Sequence, residues 1–562
     1  MKRTLVLLLP VVLLFASLAA PAWAGSIEDG NKALDAKAWE KAADHFRKAL
    51  EKDAANADAA IGLARAAIGG TLTEAYFEAE EVLHAAIARN PKRRDTRRAL
   101  GDVFLASAKN KVTDPKSMEF TFKDAKATFE KLVEEDKKDE AAAVGLAQAL
   151  YNLAAFDEAI GVLDAFTSKS KSDGSALYWK GQILYTKAVD AYRASGQLDE
   201  TVKGDFRKAQ GAYLAATQAD PKAFDAWMQL GYAGQYLGET DEAQKAYEKA
   251  MDLAPQSLAP LRGIEALYYY RAKDYPAALV ALQKAHPDNV PVHFFLGFQA
   301  LQAKKYDEAV KSLTAFEKKA KEPGMVWAIL AQAYAGKGDE DKAARLFDKA
   351  LEHNPNDTVA ADAIDQRLRK KFLGKVMSSP KAALEMAQAY ESLFEKAPNN
   401  VWVRNNLAFV LREAVTKHQG NAKWKPVLDA CVKVYEDATQ LSEQHLGGGR
   451  EANTAYPTRH SYAGVINDTG LMFHYYPSIR DIEKAEDFYL RALELTEDGY
   501  QDAFTNLEKI YRAQQRWDEL YELATACAEN LKLTDGKPNP TARAYARGVA
   551  ARLEQEGKVG GD

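Results

Sequence analysis

The sequence predicts an all-α stack of antiparallel helix pairs, and three observations predict it. Phe224 to Pro255 reads F-D-A-W-M-Q-L-G-Y-A-G-Q-Y-L-G-E-T-D-E-A-Q-K-A-Y-E-K-A-M-D-L-A-P. Trp227, Leu230, Gly231 and Tyr236 share one apolar stripe at helical spacing, and Ala243, Tyr247 and Ala250 recur at i, i+4, i+7 on a second. The same order returns 100 residues later, at Trp327, Leu330-Ala331, Tyr334, Ala343, Phe347, Ala350 and Pro355. No stretch carries the period-two alternation of a half-buried strand.

Each feature of the first stretch has a physical reason. Gly238 ends one helix, and Thr240-Asp241-Glu242 offers capping side chains to the next. The small residues Ala243 and Ala250 let the second helix lie close to the first, with Tyr247 filling the gap. Pro255 cannot continue the helix. A lone pair of this kind leaves an apolar face uncovered, so it needs neighbours that stack on it.

The order W-x2-L-G, then A-x3-Y-x2-A, then P resembles the tetratricopeptide repeat. Gly234 departs from it, standing where an aromatic is usual, with Tyr236 two residues on. Two more units fit between the two quoted above. One carries Tyr269, Ala278, Leu282 and Ala285, the other Leu296-Gly297, Ala309, Leu313, Phe316 and Pro323. The resemblance implies a right-handed superhelical solenoid of helix pairs that binds a protein or peptide partner.

Taken in order, residues 1–24 read as a secretory signal peptide. Lys2-Arg3 is basic, Leu5 to Leu18 is apolar with Pro10 inside it, and Ala22-Trp23-Ala24 is a small-x-small cleavage site. No cysteine follows that could carry a lipid anchor, and no later run is apolar enough to cross a bilayer. The product is expected to be exported and soluble, either periplasmic or secreted. Residues 25–223 hold degenerate repeats: Gly30, Leu34, Ala42, Phe46 and Ala49 form the first, and Gly181, Leu184, Ala209, Tyr213 and Ala216 the last. An insertion in a connecting turn is expected near 112–120, and a first helix extended over about 175–194. Residues 224–357 form the regular quartet and 358–441 divergent pairs. Residues 442–480 read as an irregular Gly/His/Tyr-rich insertion: a loop after Gly447-Gly448-Gly449, then a helix from about Tyr462 to Tyr475. Residues 481–562 resume the repeats and end in a polar cap at 540–555.

Composition narrows the function. Charged residues make up 28% and the formal net charge is −5, which gives no argument for nucleic acid or an anionic membrane. The two cysteines, Cys431 and Cys527, occupy small-residue slots of different pairs and read as buried hydrophobes. No phosphate-binding loop, His-Glu-x-x-His, Gly-x-Ser-x-Gly or Cys-x-x-Cys occurs, so neither a cofactor nor a catalytic set is assigned.

Two places are candidates for binding. The first is an aromatic strip on the inner side of the first helices: Met228, Tyr232, Tyr236, Leu267, Tyr270, Phe294, Phe298 and Gln332. Adaptor domains of the same family clamp a peptide carboxylate there with Lys, Asn and Arg; these positions are mostly apolar here, and the resemblance stops short of that activity. The second is the 442–480 stretch, with Arg450, Arg459, His460, Asp468 and His474 as polar candidates. An enzyme or a carbohydrate- or small-molecule-binding module centred there is the alternative to a protein-binding scaffold. Two basic runs, Lys92-Arg93-Arg94 with Arg97-Arg98, and Arg367-Arg369-Lys370-Lys371, fit a solvated face; the first, near a helix start, also fits an anion or an acidic partner.

Overall fold

A computed structural model describes residues 24–111, 113–269, 274–446 and 456–559. Two compact units result, Met1–Pro291 and Val292–Asp562. Among the described residues the chain forms twenty-seven α-helices and no strand beyond one isolated bridge, Lys532 with Pro538. In unit 1 they pair as α1 (Ala24–Asp35) with α2 (Trp39–Leu50), α3 (Ala57–Gly70) with α4 (Ala75–Arg89), α5 (Arg94–Asn110) with α6 (Pro115–Glu135), and α7 (Glu140–Asn152) with α8 (Phe156–Thr167). Then follow α9 (Ser175–Ser195) with α10 (Glu200–Ala219), α11 (Phe224–Leu237) with α12 (Thr240–Leu253), and α13 (Ala259–Leu267), then α14 (Tyr275–Ala285). Unit 2 holds α15 (Pro291–Gln302) with α16 (Tyr306–Lys319), α17 (Trp327–Lys337) with α18 (Glu340–His353), α19 (Thr358–Val376) with α20 (Pro380–Lys396), and α21 (Val401–Thr416) with α22 (Lys425–Leu446). The last pairs are α23 (Tyr456–Tyr475) with α24 (Ile482–Leu495) and α25 (Gln501–Gln514) with α26 (Trp517–Asn530); α27 (Pro540–Gln555) closes the unit.

One contact explains why neighbouring pairs stack. In three pairs the ring on the second helix sits between a glycine of its own first helix and a glycine of the next. Phe46 lies between Gly30 and Gly62, Phe129 between Gly101 and Gly145, and Tyr247 between Gly231 and Gly263. A methyl group on Gly263 would stand 2.6 Å from the Tyr247 ring, and one on Gly101 2.6 Å from Phe129. All three rings are fully buried. Burying such a ring is worth roughly 1.5–3 kcal/mol relative to exposure. Successive first helices of unit 1 touch from α1 through α13, so they form one continuous face.

One turn explains how the helices of a pair reverse. At Lys37, Ala154, Gly238, Lys304, Gly338 and Gln515 the residue after the first helix adopts positive φ, between 54° and 89°. Each turn closes with a six-residue bond of the kind Glu239 N–H to Gly234 C=O, 2.9 Å, or Ala155 N–H to Leu150 C=O, 2.9 Å. Elsewhere side chains cap: Asn56, Asp139, Asp357 and Asn400 each accept from a backbone N–H two or three residues on.

Four expectations are corrected. The insertion near 112–120 is not a long turn, because most of it extends α6, which begins at Pro115 behind the Asp114 cap. Tyr269 is not core: α13 ends at Leu267 and Tyr269 is 75% exposed. The 442–480 stretch is not an irregular insertion over its described residues, 442–446 and 456–480. Its first residues end α22, and 456–475 is a first helix in full register with α24, with Gly470 closing on Tyr489 as in the other pairs. That helix starts six residues before the expected Tyr462; Gly447-Gly448-Gly449 lies outside the described residues. The first basic run is neither a solvated face nor a free patch. Arg93 pairs with Asp58 and Asp95, Arg94 with Glu135 and Asp139, Arg97 with Glu135, and Arg98 with Asp139, tying α5 to its neighbours. Cys431 and Cys527 are free and buried, and burial pushes both thiols up.

Candidate partner-binding face

The expected aromatic strip divides between the two units. In unit 1, Met228 is 5% exposed and belongs to the core rather than to a groove. Its position in α11 turns it toward the neighbouring packing, on the same side as the buried Gly231 three residues on. Tyr236 is also a packing residue. Its ring stacks on Phe206 at 4.5 Å and stands edge-on to Tyr185 and Tyr192, filling the space beside the long α9. Gly234, where the repeat usually has a ring, leaves Ala243 close by, so Tyr236 packs toward α9 and α10 instead. Tyr232 is half-buried and edge-on to Tyr247 at 5.6 Å, and Leu267 is half-buried. Tyr270 lies outside the described residues.

In unit 2, Phe294 and Phe298 are half-buried on α15 with parallel rings 6.3 Å apart, and Phe294 also meets Phe316 at 5.5 Å. Gln332 is exposed on α17 and edges a cavity of about 880 Å³ bounded by α17, α18 and α19.

The polar candidates of α23 do not meet at one point. Arg459 and His474 stand fifteen residues apart on one helix, about 22 Å at 1.5 Å per residue. Arg459 pairs with Glu497 at 3.0 Å, and His460 stands edge-on to Tyr500. The His474 Nδ1 lies 3.2 Å from the Tyr489 hydroxyl, and the ring stacks on Tyr475. Burial lowers both histidines. Asp468 faces Arg412 on α21 at 3.0 Å. Burial raises its carboxyl and Arg412 only partly opposes this, whereas the guanidinium of Arg412 is raised by the same pairing. Asp502 adds to the effect of burial at Asp468. Arg450 lies outside the described residues. Among the described residues no three His, Cys, Asp or Glu are placed to share a metal ion.

What the sequence reading missed is a row of polar bridges between consecutive first helices of unit 2. Asn406 donates to the buried Asp365 at 3.1 Å, joining α21 to α19. Arg412 meets Asp468, joining α21 to α23. Asn506 donates to Asn467 at 3.1 Å and Lys509 to the Tyr475 hydroxyl at 3.2 Å, joining α25 to α23. The Tyr545 hydroxyl donates to Glu508 at 3.2 Å, joining α27 to α25. On this row sit three exposed rings: Phe409 at 48%, Tyr475 at 43% and Tyr545 at 56%. The Arg412 guanidinium lies 5.3 Å from the Phe409 ring, and Lys509 is 5.7 Å from Tyr475. The signal was present as Asn and Asp at first-helix positions, Asn405-Asn406 and Asn467-Asp468.

Family models of the tetratricopeptide repeat match residues 118–179, 224–257, 324–357 and 503–538. A TPR repeat-containing protein of Methanocaldococcus jannaschii, MJ1428, is 29% identical over 168 residues, covering 29% of each chain. The peroxisomal targeting signal receptor of Pichia angusta is 25% identical over 187 residues, covering 31% of this chain and 32% of its own. This chain therefore spans under a third of the length of either curated relative. The solved structure of yeast Tom70 aligns over 95% of this chain and 96% of its own, at 14% identity and a TM-score of 0.24. Two of the four matched segments lie outside the regular quartet: 118–179 keeps the glycine, ring and turn contacts through Gly145, Phe129 and Ala154, and 503–538 keeps the turn at Gln515. The chain carries tetratricopeptide repeats in these four segments.

Proposed function

We propose that this chain is a scaffold, not an enzyme, that holds a protein or peptide partner on its first-helix faces, and that it does so in the cell envelope after export. The observation that carries the binding reading is the row of exposed rings Phe409, Tyr475 and Tyr545, the two tyrosines held by hydrogen bonds and Phe409 beside the Arg412 guanidinium. Rings fixed before binding lose little rotamer freedom on contact, which is how aromatic side chains come to dominate interfaces. Supporting the envelope reading are Lys2-Arg3, the apolar run to Leu18 and Ala22-Trp23-Ala24. The Pichia relative is named as a receptor for a targeting signal, a role of the same kind.

Affinity capture with the full chain, beside a Phe409→Ala/Tyr475→Ala/Tyr545→Ala variant, tests the binding face. A partner held by the first and lost from the variant, with the helical spectrum intact, is expected. Equal capture by both would sink the assignment of this face. Sequencing the amino terminus of the envelope-fraction protein tests export, and Gly25 is the expected start.

A further inference from the structure

Most cations at repeat junctions are used internally, as the α5 run shows. The second basic run behaves differently. Arg369 pairs with the buried Asp365 at 2.6 Å. Arg367, Lys370 and Lys371 are exposed and make no ion pair among the described residues, and all three edge the 880 Å³ cavity. Ala335, Ala343, Ala344, Phe347, Val359 and Ala363 supply its apolar surface, with Val359 42% exposed.

The sequence differs at this pair. Gly231 and Gly263 close on Tyr247 from both sides; at the same spacing around Phe347 stand Ala331 and Ala363. The face that α19 turns to the gap carries Asp362, Gln366, Arg367 and Lys370 beside Val359 and Ala363, so the cavity is polar on one side and apolar on the other.

We propose that this cavity docks a segment of the protein partner in which an apolar side chain is flanked by carboxylates; the proposal rests on the scaffold reading above and names the chemistry of what is held. The rim carries three cations against two acids, Glu340 and Asp362, in a chain whose net charge is −5. The local excess of positive charge therefore selects against a basic segment. A purely anionic ligand would leave Val359 uncovered, and a purely apolar one would leave three cations facing it without partners. The volume lies within the range of about 300–1,000 Å³ typical of ligand sites and accommodates more than one large side chain.

The test uses the full chain and a short fluorescein-labelled peptide carrying Leu and Phe flanked by Glu, with its Glu→Gln counterpart. Fluorescence anisotropy is expected to show the acidic peptide binding at least about tenfold more tightly than the amide one, with the difference shrinking as salt is raised. Arg367→Ala/Lys370→Ala/Lys371→Ala is expected to abolish that preference, and Ala344→Trp, which fills the cavity and keeps the cations, to weaken both peptides. Lys131→Ala/Lys137→Ala/Lys138→Ala, an exposed set on another pair, controls for net charge. Equal binding of both peptides, or a preference that survives the α19 variant, overturns the proposal. Natural partner capture run in parallel separates the two readings: capture that persists in the α19 variant but is lost from the Phe409/Tyr475/Tyr545 variant overturns the cavity assignment alone, whereas no capture by the unaltered chain counts against the scaffold itself.

Discussion

Tyr247 offers a direct test of the stacking contact. Replacing Gly263 with alanine places a methyl 2.6 Å from its ring, and at Gly231 the methyl comes closer still. Carbon atoms in contact sit about 3.5–4.0 Å apart, so the ring or a helix must give by roughly 1 Å. Overpacking of this size costs about 1–3 kcal/mol. Against it, alanine is about 1 kcal/mol better than glycine in a helix interior. Gly263→Ala is therefore expected to destabilise by up to about 2 kcal/mol. Gly204 lies inside α10 with nothing within 4 Å of where an alanine methyl would sit, so Gly204→Ala should stabilise by about 1 kcal/mol. A single methyl can be relieved by sliding the ring toward the facing glycine; two cannot. The Gly231→Ala/Gly263→Ala pair should thus exceed the sum of the single effects by about 0.5–3 kcal/mol. Urea unfolding followed by circular dichroism gives the stabilities, and peptide-resolved hydrogen exchange over 224–267 shows whether the loss is local to these pairs. If Gly263→Ala stabilises as much as Gly204→Ala, the ring is not clamped and the account of stacking is wrong.

Ala243→Glu puts a carboxylate into the 1% exposed junction of α12 with α11 and should cost about 3–5 kcal/mol; Phe298→Ala, at a half-buried ring, should cost clearly less, and equal losses of melting temperature would make Phe298 core. Ala154 holds φ of +58° in a turn where α11 and α17 use glycine, so Ala154→Gly should stabilise by up to about 1 kcal/mol, read as a higher urea midpoint; a loss would mean its side chain contributes more than the backbone strain costs. Burial raises the Asp468 carboxyl above its unfolded value of about 3.9. That group's contribution is fully present below the unfolded pKa and is lost as pH rises through the folded one. Stability of the natural chain relative to Asp468→Asn should therefore fall as pH climbs from about 4 toward neutrality, and a relative rise would show that Arg412 outweighs burial.

The fold was legible because each helix pair repeats one solution in one alphabet. Ala243-x3-Tyr247-x2-Ala250 and Cys431-x3-Tyr435-x2-Ala438 specify the same buried face, so the cysteine could be read as a small residue. The long α9 was legible from Gly181 and Leu184 because nothing between Ser175 and Ser195 breaks a helix. Length changes misled where they cost nothing. Extra residues after Asn110 could have formed a loop, but Asp114-Pro115 caps and starts a helix, and lengthening α6 satisfies their backbone groups at once. The Gly-rich start of 442–480 drew attention away from Gly470, fifteen residues before Ala485 and four further from Tyr489, a spacing already present at Gly231 and Tyr247 with three residues less.

The binding face was less legible, for a reason that lies in side-chain direction. Periodicity says which residues share a stripe, and it placed Met228 and Tyr236 on a first helix correctly. Whether a stripe faces solvent or the next pair depends on how neighbouring helices cross, and that is set by residues far along the chain. Tyr236 is taken up by Phe206, thirty residues earlier, because α9 and α10 are both long enough to reach it. Polar bridges carry the same difficulty. Asn406, Asn467 and Asn506 look alike in sequence, and each becomes informative only beside its partner on the adjacent first helix. A regular repeat spends its recurring contacts on stacking, so the chemistry that distinguishes this chain falls where the pattern is relaxed: at Ala331 and Ala363 around Phe347, and at the Asn and Asp positions from α19 onward.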